Sequence, residues 1–269
     1  MDIAQLTPLA QVLSLRSSGA VFKTEIPGDW TQGRTTFGGL LAAIAIRALE
    51  AGHAEGRPLC SFVMDCIGPA AAGGIEVHTE LLRAGKSLSH VRATLLQDGK
   101  LCAALIGAFG LPRASLLNDE GAPPPPVATP PETLARLPYV ADVSPRFTQH
   151  FDYRFMTTSK LFSGAKEGQL SGFVKPLDAD QVDAAVIAAL IDAFPAPVLT
   201  QLRAPAPVST VTWMVNFARR PEPLATDAYY RYESRTNSAT DGYASMDATL
   251  WDADGRLLAD SRQLIAVFG

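Results

Sequence analysis

The sequence is poor in the residues on which many protein classes depend. It has three cysteines and four histidines in 269 residues. Three cysteines cannot all pair in disulfides, and neither residue type follows a zinc-binding spacing. The longest apolar run is about half the length of a membrane-spanning helix, and the N-terminus lacks a secretory signal pattern. These absences predict a cytoplasmic protein with reduced thiols, no bound metal and no segment inserted into a membrane.

Positive charge is also scarce. The chain has 23 Lys and Arg against 27 Asp and Glu, a formal net charge of −4, so it has no overall attraction for phosphate backbones. It lacks the Gly-x-Ser-x-Gly turn that carries the nucleophile in α/β-hydrolases. It also lacks the glycine loops that bind nucleotide phosphates. We therefore expect no nucleic-acid partner and no nucleotide-binding loop.

A proline-rich segment divides the chain near its middle. It contains Pro123–Pro126 and Pro130–Pro131, which favour extended backbone over packed helices or strands. We predict a first domain over 1–112, a linker over 113–145 and a second domain over 146–269. The same composition also suits a surface arm that packs on one domain, and either interpretation places a domain boundary there.

The two predicted domains resemble each other. The segment Ala93–Leu101 shares with Ala248–Leu257 an Ala-Thr-Leu triplet, an Asp-Gly turn and a following basic residue. An apolar helix is predicted upstream of each, over Phe37–Ala51 and Asp180–Phe194. The shared order indicates a duplication. Because both helices are apolar nearly all round, each must be surrounded by protein.

Strand-like runs follow and precede both helices. They are Ala20–Ile26, Cys60–Ile67, Gly74–Arg83, Ser87–Gln97 and Leu101–Gly110 in the first half, and Phe147–Thr157, Gly168–Lys175, Ser209–Arg219, Ala228–Thr236, Gly242–Asp252 and Leu257–Val267 in the second. Asp-Gly pairs predict tight hairpin turns before the last strand of each half. A strand, a buried helix and a long antiparallel meander are the element order of a hotdog fold. We therefore predict an α+β double hotdog, with each sheet wrapped around a central helix.

Asp192 is the most informative single residue. It lies near the C-terminal end of the apolar second helix, where a buried carboxylate needs hydrogen-bond donors and its charge opposes the helix dipole. It is either a catalytic carboxylate or one that binds backbone N–H groups at the helix end. Thr210 begins a strand, as an ordinary β-forming residue does. Gln263 lies in the last strand, where a buried amide can orient a water molecule.

Three stretches resemble the acyl-CoA thioesterase II-like family of double-hotdog thioesterases. Phe37-Gly38-Gly39 is similar to the Phe-Gly-Gly start of that family's first helix. Leu82–Ala93, followed by Gln97–Lys100, is similar to its Leu-Arg-x-Gly-x-Ser-Phe-Ser-x-Arg-x-Val segment and Gln-x-Gly-Lys turn. Asp254–Gln263 resembles its Asp-Gly-x-Leu-x-Ala-Ser-x-x-Gln ending. The resemblance covers most of the chain.

This resemblance implies an acyl-CoA thioesterase of fatty acid metabolism. The family's Asp, Thr and Gln, which hold the attacking water, fall on Asp192, Thr210 and Gln263, with Asp192 as general base. Coenzyme A enters as part of the substrate, and no other cofactor is implied. Alignment of the two halves puts Arg47 at the Asp192 position and Gly107 at the Gln263 position, which predicts one competent site per chain. We also expect homo-oligomers, because open sheets have edges that need covering.

Two segments depart from the family pattern. Its Ser-Phe-His-x-x-Phe-Leu-Arg-Pro-Gly segment reads Ser61–Ala70 here and lacks the His and the Arg, and its Asp-His pair after the Thr is replaced by Thr212-Trp213. Two alternatives therefore stay open. One is a hotdog protein that binds acyl thioesters without hydrolysis. The other is a hotdog hydratase or dehydratase, although that chemistry usually needs a histidine beside the acidic residue. The acyl group is left open.

Overall fold

The computed structural model describes residues 6–117, 119, 121–126, 129–156, 159–218 and 224–268. The helices are α1 (Leu9–Val12), α2 (Gly38–His53) and α3 (Ala184–Ile191). The strands are β1 (Arg16–Ser18), β2 (Val21–Ile26), β3 (Thr31–Gln32), β4 (Thr35–Thr36), β5 (Leu59–Cys66), β6 (Gly73–Ala84), β7 (Leu88–Gln97), β8 (Lys100–Gly110), β9 (Phe151–Phe155), β10 (Gln169–Pro176), β11 (Val208–Phe217), β12 (Tyr230–Thr240), β13 (Tyr243–Trp251) and β14 (Leu257–Val267).

Twelve of these strands form one antiparallel sheet. The first half contributes β1-β2-β6-β7-β8-β5, and the second half continues with β11-β14-β13-β12-β10-β9. Strands β6 to β8 and β12 to β14 are meanders, as predicted. Strand β5 is not part of its meander, because it pairs with β8 and β11 instead of with β6. Strand β11 occupies the equivalent place beside β14.

The two halves meet where β5 pairs with β11. Val63 lies opposite Met214, and the neighbouring pairs are Met64 with Trp213 and Phe62 with Val215. Each half therefore contributes the same strand, in opposite directions, to the middle of the sheet. The Val63–Met214 pair marks an approximate twofold axis that relates the halves.

Helices α2 and α3 pack against each other on one side of this sheet. Helix α2 lies on β6, β7 and β8, and α3 lies on β10, β13 and β14. Their close approach depends on Gly39, since a Cβ atom there would lie 3.0 Å from the Ala189 Cα. Two buried helices against a shared antiparallel sheet form the α+β double hotdog that the sequence predicts.

Helix α3 is shorter than its apolar pattern predicts. It begins after Asp183, whose carboxylate accepts hydrogen bonds from the backbone N–H groups of Ala185 and Val186 at 3.1 and 3.2 Å. This is an N-cap, which starts the helix four residues later than predicted. Asp192 is the C-cap residue. The ends predicted for two strands, at Thr157 and Arg219, lie outside the described residues.

Parts of the proline-rich segment pack on the second half. The Trp251 indole N–H donates to the Ala122 carbonyl at 2.9 Å. Further along, the Leu137 N–H donates to the Tyr153 carbonyl at 3.0 Å. Two parts of the segment therefore contact the second half through hydrogen bonds. No helix in the described ranges is long and apolar enough to cross a membrane.

Candidate active site

Asp192 is placed between the two halves. Its backbone ends α3, and its carboxylate lies against the first turn of α2. A Cβ atom on Gly38 would lie 2.9 Å from the Asp192 Oδ2, so the absence of a side chain at Gly38 makes room for the carboxylate. The charge that opposes the dipole of its own helix therefore faces the positive end of the other helix, which stabilises it.

Gln263 and Thr210 complete a hydrogen-bonded group with Asp192. The Gln263 Nε2 donates to the Asp192 Oδ1 at 2.8 Å. The Thr210 Oγ1 lies 3.5 Å from the Gln263 Oε1, at the long limit for a hydrogen bond. Gln263 is buried, whereas Asp192 and Thr210 are partly exposed. The buried Gln263 amide therefore contacts both the Asp192 carboxylate and the Thr210 hydroxyl, and these two groups stay partly exposed.

A bulge in the β11–β14 ladder brings Thr210 to this position. The register shifts between Thr210 and Thr212, so that Thr210 pairs with Ile265 and Trp213 pairs with Gln263. An irregularity of this kind redirects side chains beside functional sites. The sequence places all three residues in the correct elements but does not reveal the bulge.

Burial raises the pKa of Asp192 to about 7. Hydrogen bonding from Gln263 and from the Gly39 N–H opposes this rise by favouring the charged form. The carboxylate has no salt-bridge partner among the described residues. A carboxyl group with a pKa near neutrality can exchange a proton under physiological conditions, as a general base must.

The other ionisable groups that respond to the charge of Asp192 are neutral. Burial raises the pKa of Cys66 to about 12, and it also raises the pKa values of Tyr153 and Tyr232. The negative charge of Asp192 raises each of these pKa values further. A thiol and two phenols thus lie within electrostatic range of the carboxylate without neutralising it. No group of three or more His, Cys, Asp or Glu side chains in the described ranges is arranged to hold a metal ion.

The structure therefore brings together the three residues that the sequence singles out. Their catalytic roles stay predictions, but their geometry suits a water molecule held between a carboxylate and a hydroxyl. The part played by α2, whose Gly38 and Gly39 shape the carboxylate site, was not predicted from the sequence. A Gly-Gly pair at a helix start signals close packing, but it does not identify the group that approaches.

The contact between Asp192 and the start of α2, the second junction, has a counterpart with different chemistry. In this first junction, Arg47 of α2 contacts the start of α3. Arg47 is equivalent to Asp192 and Gly38 is equivalent to Asp183, since each pair is separated by 145 residues. The contact of Arg47 with Asp183 therefore corresponds to the contact of Asp192 with Gly38. The Arg47 Nη2 donates to the Asp183 carboxylate at 2.7 Å, and its Nη1 donates to Glu50 at 3.1 Å. Arg47, which binds two carboxylates, therefore occupies the position equivalent to Asp192, a carboxylate without an ion-pair partner in the described part of the chain.

The sheet beneath the first junction is filled with hydrocarbon. Phe62 pairs with Gly107 as Trp213 pairs with Gln263, and Leu59 lies across the equivalent bulge at the Thr210 position. A Cβ atom on Gly107 would lie 3.1 Å from the side chains of Leu49, Leu59 and Phe109. The volume that holds an amide in the second half is occupied by leucine here.

Comparison with protein families gives two matches that span most of the chain. Residues 26–110 match the model of the acyl-CoA thioesterase N-terminal domain, and residues 122–267 match that of the acyl-CoA thioesterase C-terminal domain. No curated protein matches the sequence.

Solved structures share the complete fold at low sequence identity. A protein of unknown function with a hot dog fold from Alicyclobacillus acidocaldarius is 23% identical, with a TM-score of 0.87 over 97% of this chain and 98% of that one. The tesB protein of Mycobacterium avium subspecies paratuberculosis is 18% identical, with a TM-score of 0.78 over 97% and 98%. An acyl-CoA thioesterase II from Mycobacterium marinum is 17% identical, with a TM-score of 0.76 over the same shares. These likenesses establish the fold.

Proposed function

The chain belongs to the acyl-CoA thioesterase family, and from this premise we propose that Asp192, Thr210 and Gln263 catalyse the hydrolysis of an acyl-CoA by direct attack of water. The family identifies the enzyme as an acyl-CoA thioesterase. The observation that carries the proposed mechanism is the 2.8 Å hydrogen bond that joins Gln263 to the partly buried carboxylate of Asp192, whose pKa is about 7.

Asp192 acts as the general base. Its carboxylate accepts a proton from the bound water while the water oxygen attacks the thioester carbonyl carbon. The tetrahedral intermediate then collapses with cleavage of the carbon–sulfur bond. The proton held by Asp192 passes to the departing sulfur, so that water and thioester give one carboxylic acid and one thiol. Asp192 ends the cycle as a carboxylate.

Thr210 and Gln263 position the water. The Gln263 amide N–H donates to Asp192, and the Gln263 carbonyl accepts a hydrogen bond from the Thr210 hydroxyl. The second contact orients this hydroxyl. Because the contact between Thr210 and Gln263 is long, the hydroxyl can also bind the water. Two fixed partners hold the nucleophile in one orientation, and such positioning lowers the entropic part of the barrier.

A thiol-release assay tests this proposal. The purified protein is incubated with short, medium, long, branched and aromatic acyl-CoAs, beside Asp192→Asn. Asp254→Asn is the matched control, because its carboxylate is exposed in the last hairpin turn. We expect release with at least one substrate, a loss of about 100-fold or more in Asp192→Asn, and unchanged activity in the control.

Each other result has a defined meaning. Equal release by wild type and Asp192→Asn contradicts the role of Asp192. Binding of acyl-CoA without release by the wild type contradicts hydrolysis and favours a thioester-binding protein. The substrates that are cleaved define the acyl class.

Further features follow from the proposed activity. We infer a cytoplasmic enzyme of fatty acid metabolism, in keeping with its substrate class and its three free cysteines, with coenzyme A present only as part of the substrate. We also infer a homo-oligomer, because all three residues of the edge strand β1 are exposed and a second copy can cover such an edge. Light scattering at several protein concentrations measures the oligomeric state.

A further inference from the structure

Tyr153 lies behind the carboxylate without taking part in the proposed chemistry. It belongs to β9 and is 3% exposed. Its ring packs edge-on against Phe151 and Phe194, with centroid distances of 5.9 and 5.6 Å. Its hydroxyl donates to the Ala193 carbonyl at 3.1 Å in a buried position. The one polar atom of this side chain is therefore bonded to the residue that follows Asp192.

The Ala193 carbonyl lies just past the end of α3. The last helical turn is closed by a hydrogen bond from the Ala193 N–H to the Leu190 carbonyl at 3.2 Å. The carbonyls at a helix end have no partner within the helix and need one from elsewhere when they are buried. Tyr153 provides this partner, so its hydroxyl fixes the backbone from which the Asp192 side chain extends.

Tyr153 itself is held on both edges of its strand. On one side it pairs with Val174 of β10. On the other side the Leu137 N–H donates to its carbonyl at 3.0 Å, and Arg136 forms a β-bridge with Arg154. The proline-rich segment therefore contacts the outer edge of β9 through one isolated β-bridge and one backbone hydrogen bond. A hydroxyl presented from such a backbone has little freedom to move.

We propose that Tyr153 is a positioning residue for hydrolysis, which holds the turn Asp192–Ala193 so that the carboxylate stays aligned with Gln263 and the start of α2. This inference rests on the proposed role of Asp192. Three contacts then fix the position of Asp192. Gln263 donates to one carboxylate oxygen, the first turn of α2 packs against the carboxylate, and Tyr153 donates to the backbone of the next residue. Small displacements of a base are costly, since about 1 Å can reduce the rate about 100-fold.

A positioning role differs from a purely structural one in its effect on ionisation. Asp192 owes its raised pKa mainly to burial. A turn that is released by loss of the Tyr153 hydroxyl admits water to the carboxylate and lowers that pKa. The groups that respond to its charge, Cys66, Tyr153 and Tyr232, are neutral and do not oppose this change.

The test compares Tyr153→Phe with Tyr230→Phe in the full chain. Tyr230 is also buried, and its hydroxyl also donates to a backbone carbonyl, that of Ala225. Both variants keep the ring and lose one such bond. We expect Tyr153→Phe to lower kcat about 10-fold with KM changed less than about twofold, and to move the acid limb of the kcat/KM profile to lower pH. Tyr230→Phe should retain the wild-type kcat and acid limb.

Asp192→Asn, measured in parallel, separates this inference from the proposed function. If Asp192→Asn is inactive and Tyr153→Phe keeps the wild-type kcat and acid limb, the role of Tyr153 is wrong and that of Asp192 stands. If Tyr230→Phe loses as much kcat as Tyr153→Phe, the effect is general and the positioning role is wrong. If Asp192→Asn keeps its activity, both proposals fail.

Discussion

The two helix junctions show how one backbone arrangement supports opposite chemistry. At one junction α2 begins with Gly38, and the carboxylate of Asp192 occupies the space beside it. At the other, α3 begins after Asp183, and Arg47 binds the carboxylate of that residue. The first arrangement leaves an unpaired carboxylate at a positive helix end, whereas the second closes the equivalent place with an ion pair.

The sheet residues beneath each junction follow the same division. Thr210 and Gln263 are polar and hydrogen-bonded, whereas Leu59 and Gly107 leave only hydrocarbon at the equivalent positions. The two halves share their fold, their bulge and their helix contact, and they differ at four paired positions: Gly38 and Asp183, Asp192 and Arg47, Thr210 and Leu59, and Gln263 and Gly107. Under the proposed mechanism, activity requires the polar set of the second half, whereas the ion pair of the other junction contributes only to stability.

Exchanging the residues at the helix starts should have the largest effect. Gly38→Asp displaces the Asp192 carboxylate, because its Cβ atom would lie 2.9 Å from the Asp192 Oδ2. It also adds a second carboxylate, and two adjacent like charges cannot both ionise freely. We expect a loss of about 100-fold or more in kcat/KM at pH 7.5, with the fold intact by circular dichroism. Asp183→Gly, the reverse change at the other junction, should keep activity within about twofold. Retained activity in Gly38→Asp contradicts the placement of the site.

Removing the amide should have the next largest effect. Gln263→Ala deletes the 2.8 Å hydrogen bond to Asp192, which favours the charged form, so the pKa of Asp192 should rise further. We expect kcat to fall about 10- to 100-fold and the acid limb to move to higher pH. Gly107→Ala is the matched change in the first half, and there only the melting temperature should fall. A shift of the acid limb to lower pH in Gln263→Ala would contradict this account.

The pH dependence should distinguish two carboxyl groups with similar pKa values. Burial raises the pKa of Glu50, at the first junction, to about 7, as it does that of Asp192. If Asp192 is the base, kcat/KM falls about tenfold per pH unit below that value because the carboxylate takes up a proton. Glu50→Gln should leave this limb in place. Loss of the limb in Glu50→Gln assigns it to the first junction instead.

Stability should change in the opposite sense to activity. The folded-state pKa of Asp192 lies above its ordinary value of 3.8, so ionised Asp192 destabilises the fold above pH 7. This destabilisation disappears as the pH falls from about 7 toward 4. Asp192→Asn should therefore melt at a higher temperature than wild type at pH 8 and lose most of this advantage at pH 5. Equal differences at both pH values contradict the raised pKa.

The smallest effect is expected at the ion pair of the first junction. Arg47→Leu removes the contacts with Asp183 and Glu50, and the three side chains are about one quarter exposed. Partly exposed ion pairs contribute about 1 kcal/mol or less, so urea denaturation should show a loss of that order. Activity should stay within about twofold. A tenfold loss of kcat shows that this junction supports catalysis.

Local patterns predicted most of the fold because the elements carry their own signals. The last strand was predicted at its observed bounds, Leu257–Val267, since an Asp-Gly turn precedes it. The ends of α3 were wrong because apolar composition does not show where Asp183 caps the helix. The place of β5 was missed, since neighbours in the chain need not pair in a sheet.

The candidate site was predicted in its residues but not in its environment. Asp192 opposes the dipole of its own helix, and nothing near it in the sequence compensates for that opposition. The answer lies in α2, about 150 residues earlier in the chain, and such a contact leaves no local signal. Tyr153 was missed for the same reason, because a tyrosine in a strand is an ordinary core residue.

The seam between β5 and β11 makes the site a property of the whole chain. Gly38 comes from one half and Asp192 from the other, so neither half alone contains a complete junction. In an assembly of two identical subunits, every substitution is copied into both junctions. Here the halves are covalently joined and differ in sequence, so each junction can change by itself. Val63 and Met214 differ from other positions because they lie opposite each other on the axis. A substitution at either residue therefore alters the packing of both halves.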